Sequence, residues 1–165
     1  MQPSEALDIV AQVAVTLAGF AGIVVVFRPE ALHQWSALDR FRLRLLLINS
    51  ALPLVFALFA ILLLSLDPAP TAVWRWCSGF SLVVDVAFLI SGRSLSRSVS
   101  VANLNVTTKM IYYSVSLVAL LAFTLQVINL VRWNQFWPFF FGLFVHLVAA
   151  VVQFVRMIIL SPARE

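Results

Sequence analysis

Asp85 and His146 are the two side chains best placed to do chemistry, because each sits inside a long apolar run where a titratable group is expensive. In the middle of a bilayer an ionisable side chain costs about 2.5–3.5 kcal/mol on insertion scales. It persists there only if paired, hydrated or turned toward protein. An acid and an imidazole at one depth are the usual parts of a proton or ion path. At a helical rise of about 1.5 Å per residue, Asp85 lies about 20 Å and His146 about 15 Å from the outer ends of their runs. Asn49, entering from the opposite side, reaches a similar level. These three are expected to share one polar layer, with Arg156 below it.

Other polar residues follow helical spacing. Gly142, His146, Ala149, Gln153 and Arg156 are separated by 4, 3, 4 and 3 residues, which places them on one narrow stripe. Ser78, Ser81, Asp85 and Gly92 share a face of another run, and Tyr112, Ser116, Ala119 and Gln126 of a third. In the first run Asp8, Gln12, Gly19 and Gly22 share a face. Ala14, Ala18 and Gly22 form an adjacent small-residue ridge that is expected, with Gly142, to let helices pack closely. Gln12 and Gln126 are expected to form a second polar layer nearer the outside. The apolar faces are expected to meet lipid and the polar faces to meet one another. The bland alternative is that the Gln, Asn and Ser groups only satisfy one another as interhelical glue, that Asp85 and His146 are a structural pair, and that Arg156 snorkels to the headgroups.

Several chemistries are absent. There is no phosphate-binding loop, zinc-binding His–Glu pattern or nucleophile elbow. With two histidines, His33 in a loop and His146 in a span, a bis-histidine haem site inside one chain is not expected, nor is a metal or other cofactor. The single cysteine, Cys77, excludes an intrachain disulfide and reads as a small apolar filler. No enzymatic activity is expected.

The elements that must position these residues follow from composition. Of 165 residues 62% are hydrophobic and 11% charged, against about a quarter charged in soluble domains. So few charges leave too much apolar surface for water, and the partner that covers it is a lipid bilayer. The net charge of +4 does not imply nucleic acid, because the basic residues sit between apolar runs, where membrane orientation accounts for them.

Five runs are long enough to cross: about 7–27, 43–66, 71–91, 109–131 and 136–160. The fold expected is all-α, a polytopic bundle of five transmembrane helices in one domain over 1–165, since open strands would leave backbone groups unpaired in lipid. The first run carries Glu5 and Asp8 and no early Lys or Arg, so it reads as a retained helix rather than a signal peptide. Ser36 and Asp39 have capping-box spacing before the second run, Pro53 inside it predicts a kink, and Asp67-Pro68-Ala69-Pro70 stops it. The four residues Arg132–Gln135 force spans four and five into an antiparallel hairpin. Residues 91–109 read as a loop or a short surface helix.

Nine of the 11 basic residues fall on one side of this arrangement, leaving only Arg75 and Arg132 on the other. This predicts the N-terminus outside and the C-terminus in the cytoplasm, in an integral membrane protein of the bacterial inner membrane type. The sequon at Asn105 would then lie inside, unmodified. Trp74, Trp76, Trp133 and Trp137 mark the outer interface and Trp35 the inner one, with Arg75 as an anchor. The aromatic run Phe136–Phe141 reads as interfacial anchoring, or as the wall of a cavity for a small hydrophobe. Five helices enclose little space, so a pore is expected on a symmetry axis of a homo-oligomer. The functions expected are a channel or ion- or proton-coupled transporter for an ion or small molecule. The alternative is a scaffold, accessory subunit or sensor that binds partners through small-residue faces.

Overall fold

The second helix is prepared by its cap. Ser36 takes an extended backbone (ψ 153°), and its hydroxyl accepts from the Asp39 amide at 3.0 Å while donating to the Asp39 carboxylate at 3.0 Å. One orphan N–H of the first turn is thereby met and the two side chains are tied together, as the Ser–x–x–Asp spacing predicts. The helix then runs unbroken from Ala37 to Leu64. Pro53 lies inside it and brings no N–H, so the carbonyl of Asn49, four residues back, loses its intrahelical donor.

The computed structural model describes residues 2–27, 35–66, 68, 71–96 and 106–159. Among these, five helices are long and apolar enough to span a membrane. They are α1 (Pro3–Phe27), α2 (Ala37–Leu64), α3 (Val73–Ser96), α4 (Val106–Ile128) and α5 (Phe136–Ile159). A π-helical turn, Asn129–Trp133, closes α4. The fold is an all-α bundle with no strand among the described residues. His33, the stop at 67–70 apart from Pro68, the centre of the 91–109 segment, Asn105 and the C-terminal tail lie outside the described residues.

Helices α2 and α5 form the centre, burying 39% and 44% of their most apolar stretches against 17% for α4. Helix α1 packs on both, α3 on α2 and on the π-turn, and α4 on α5. Outward-facing residues are large and apolar along every helix, including Ile9, Leu58, Val83, Leu117 and Phe144, which is the surface a bilayer solvates.

The buried side chains form two apolar clusters. One joins Leu7 and Val10 of α1, Leu52, Phe56 and Ala60 of α2, Cys77 of α3, and Phe139 and Leu143 of α5. The other joins Leu17 and Ala21, Leu43 and Leu46, Ala150 and Met157, with Trp35 closing its end. On α2 the clusters part between Leu46 and Leu52, and on α5 between Leu143 and Ala150. Asn49 and His146 occupy those gaps.

The expected ridge on α1 is corrected. Its buried stripe is Leu7, Val10, Ala14, Leu17 and Ala21, spaced 3, 4, 3 and 4. Ala14 is fully buried, Ala18 is half-buried, and Gly22 is exposed with nothing near the position of a Cβ. A strict spacing of four drifts by about 40° per step at 3.6 residues per turn, so Gly22 has rotated off the contact. The polar face of α1 is corrected as well: Asp8, Gln12, Gly19 and Gly22 all point away from the bundle. The same holds for Tyr112, Ser116 and Ala119 of α4.

Candidate functional site: a polar layer between two apolar clusters

Asn49 fixes the chemistry of the layer. Its side-chain nitrogen donates to the Leu45 carbonyl one turn earlier at 2.8 Å. A backbone carbonyl only accepts, so the atom turned toward the centre of the bundle is the amide oxygen. That oxygen stands 2.9 Å from Nδ1 of His146. An amide oxygen also only accepts, so Nδ1 carries a hydrogen and donates it to Asn49. One edge of the imidazole is thus assigned by a helix carbonyl across two side chains.

The other edge faces Asp85. Nε2 of His146 lies 3.4 Å from Oδ1 of Asp85. With Nδ1 already protonated, a bare Nε2 would set its lone pair against the carboxylate lone pairs. A single proton between them removes that conflict, whether it rests on Nε2 as imidazolium beside carboxylate or on the carboxyl beside neutral imidazole. The separation exceeds the about 2.7–2.9 Å of a charge-assisted hydrogen bond. Oδ1 of Asp85 is enclosed yet accepts no hydrogen bond from the described residues. The contact is therefore close but longer than a hydrogen bond. Both side chains keep about a fifth of their surface exposed, 20% for His146 and 23% for Asp85. The layer is not sealed.

Apolar groups hold the ring in place. Phe56 meets the imidazole edge-on, with ring centroids 5.9 Å apart. Ser50, fully buried beside Asn49, turns its hydroxyl back to the Leu46 carbonyl and leaves the layer to Asn49 alone. Asn49 carries two acceptors here, the side-chain oxygen and the carbonyl released by Pro53.

Below the layer, the stripe of α5 faces inward as its spacing predicts. Gly142, Ala149 and Gln153 are buried, and His146 and Arg156 are half-buried. Arg156 donates to the Thr108 hydroxyl at 3.2 Å, which joins α5 to the start of α4. Gln153 is buried with its oxygen unpartnered among the described residues. Arg42 pairs with Asp39 at 3.4 Å, one turn back on α2.

The chain matches no protein-family model, no curated protein and no solved structure. The polar layer is consequently read from its own geometry.

The second expected layer is not formed. Gln126 is buried and packs against Gly142 of α5, where a Cβ would collide with its side-chain amide, whereas Gln12 lies on the open face of α1. The two are on opposite kinds of surface because α1 packs through Val10 and Ala14, which turns Gln12 outward. Among the described residues no three His, Cys, Asp or Glu side chains gather to hold a metal.

Two residues not singled out from the sequence prove central to the other end of the bundle. Asn129 is fully buried: its nitrogen donates to the Ser78 hydroxyl at 2.8 Å and the Trp74 carbonyl at 3.3 Å, and its oxygen accepts from the Gln135 amide at 2.8 Å. Asn134, in the left-handed conformation (φ 54°), donates to the Thr71 carbonyl and accepts from the Arg75 amide. Together they clasp the α4–α5 hairpin onto the start of α3. A polar residue between Ile128 and Leu130 at the end of an apolar run was the available signal for Asn129.

Proposed function

We propose that this chain is a small oligomeric channel or proton-coupled transporter in which Asp85, His146 and Asn49 form the proton-handling centre. The single observation that carries this reading is the contact of His146 with both Asn49 and Asp85 between two apolar clusters. Holding one hydrogen on Nδ1 leaves Nε2 and the carboxylate to share and exchange the other. Both groups keep part of their surface exposed, and the reading requires that water reach them there. A pair needed only for packing would gain more from closing to hydrogen-bond distance, or from replacement by apolar residues.

In this proposal the N-terminus is outside and the C-terminus is cytoplasmic, supported by the basic residues gathered at the α2 N-terminus and the α5 C-terminus. An inner bacterial membrane fits that charge pattern. The role is not enzymatic, and the transported species is an ion or small molecule.

The test is reconstitution into liposomes loaded with a pH-sensitive dye, with Asp85→Asn and His146→Phe proteins alongside. The expected result is proton flux in the wild type that drops at least tenfold in each variant, with helical content unchanged. Absence of flux in the wild type under either polarity of pH gradient, or full flux in both variants, refutes the proposal.

A second reading, a scaffold or accessory subunit, is favoured by α1. Gln12 is exposed within a span and its side chain has no hydrogen-bond partner among the described residues, while Gly19 and Gly22 leave the surface beside it flat. A polar group facing hydrocarbon is stabilised when another chain covers it. On this reading the same two substitutions lower thermal stability, and no flux exists to lose.

A further inference from the structure

The N-terminal half of α2 turns a second chemistry to the outside of the bundle. Arg40, Leu43, Arg44, Leu47 and Ile48 line a groove of about 400 Å³ whose far wall is Phe88 of α3. The arginines stand one turn apart at the end where α2 begins, and the walls beyond them are aliphatic and aromatic. Arg42, the neighbour between them, is paired with Asp39. Neither Arg40 nor Arg44 has a side-chain hydrogen bond or ion pair among the described residues.

The groove is thus apolar along its length, with the two arginines standing at the end where α2 begins. Two guanidiniums one helical turn apart suit the oxygens of a phosphate, which they bind in bidentate fashion. Leu43, Leu47, Ile48 and Phe88 suit a hydrocarbon chain running from that phosphate toward the membrane centre. In an integral membrane protein the partner with both parts is a phospholipid, and the positive charge of the two guanidiniums, unpaired among the described residues, selects one of net negative charge.

We propose that the groove between α2 and α3 is a binding site for an anionic phospholipid, its headgroup on Arg40 and Arg44 and an acyl chain against Leu47 and Phe88. The site is independent of the proton-handling reading. It lies near the layer, however. Phe88 follows Asp85 by three residues and Ile48 precedes Asn49, so a bound chain ends within about 5 Å of their level along the helix axes.

The experiment is a titration of the purified full chain in detergent with phosphatidylglycerol, with phosphatidylcholine of the same acyl chains, and with inorganic phosphate, read by native mass spectrometry. Phosphatidylglycerol is expected to bind with a stoichiometry of one per chain, at least tenfold more tightly than phosphatidylcholine. Each arginine near a membrane surface contributes about fivefold, so Arg40→Gln/Arg44→Gln weakens phosphatidylglycerol binding about 30-fold and leaves phosphatidylcholine unchanged. Phe88→Ala weakens both lipids. Should the double variant unfold, the single Arg40→Gln protein, altered at an exposed position, reports the fivefold step. Equal affinity for the two lipids, undiminished phosphatidylglycerol binding in the variants, or displacement of the lipid by inorganic phosphate overturns the proposal.

Discussion

The sharpest consequence of the polar layer is energetic coupling between α3 and α5, and a double-mutant cycle measures it. Asp85→Asn keeps the shape of the side chain and removes its charge. His146→Phe keeps a ring against Phe56, 5.9 Å away, and removes both nitrogens. Two unit charges 3.4 Å apart attract by about 5 kcal/mol at an effective dielectric of 20. Desolvation and the exposure of about a fifth of each side chain return much of that, leaving a coupling of about 2 kcal/mol. Neutral hydrogen bonds between membrane helices average about 0.6 kcal/mol and reach about 1.7, so the expected value stands just above that range. The assay is reversible unfolding of the four proteins in mixed micelles, monitored by circular dichroism at neutral pH. A coupling of about 0.6 kcal/mol or less means that no proton is shared across the contact, and the argument from Asn49 through the imidazole to Asp85 fails.

Other substitutions probe the remaining features. Asn129→Ala removes two donated bonds and one accepted bond at a buried position and is expected to destabilise by about 2–4 kcal/mol, seen as a lower unfolding midpoint. Gly142→Ala drives a Cβ into the Gln126 amide. Because the end of a flexible side chain yields, the expected cost is about 1 kcal/mol, whereas Gly142→Val costs more. Gly19→Ala and Gly22→Ala meet nothing within 4 Å, so helix propensity alone predicts about 0.5–1 kcal/mol of stabilisation in the thermal melt. A loss of stability at both glycines, with a shift to smaller assemblies in detergent, would show instead that a second chain covers α1.

The five spans were legible in the sequence because length and apolar content are nearly sufficient to define a membrane helix; α5 begins and ends close to the expected residues, whereas α2 begins at Ala37, six residues before the expected run. The layer was legible for a related reason. Counting residues gives depth directly in a straight helix, and Asp85, His146 and Asn49 were the polar groups that depth brought together. The rotation of α1 was not legible. In water an apolar face points inward, but in lipid both faces are apolar and only fit decides. Leu7, Val10 and Leu17 of α1 fit the side chains of α2 and α5, and the small and polar residues were left outside. The same indifference hid the outward half of α4. Asn129 escaped because it was counted within a span, whereas it opens a π-turn and its side chain reaches α3.

The asparagine clasp has a mechanical consequence. It ties the first turns of α3 to the hairpin, with Arg75 and Trp74 bound through Asn134 and Asn129. Beyond Leu82 the helix has no buried residue among those described. Such a rod is pinned at one end and loosely held at the other. Asp85 sits about 15 Å along it from Arg75, so a tilt of about 5° displaces the carboxylate by about 1.3 Å. His146 stands on the helix with the largest buried share. A displacement of that size is large against the 3.4 Å separation of the pair, and the lever arm is set by where the two asparagines fall in the chain.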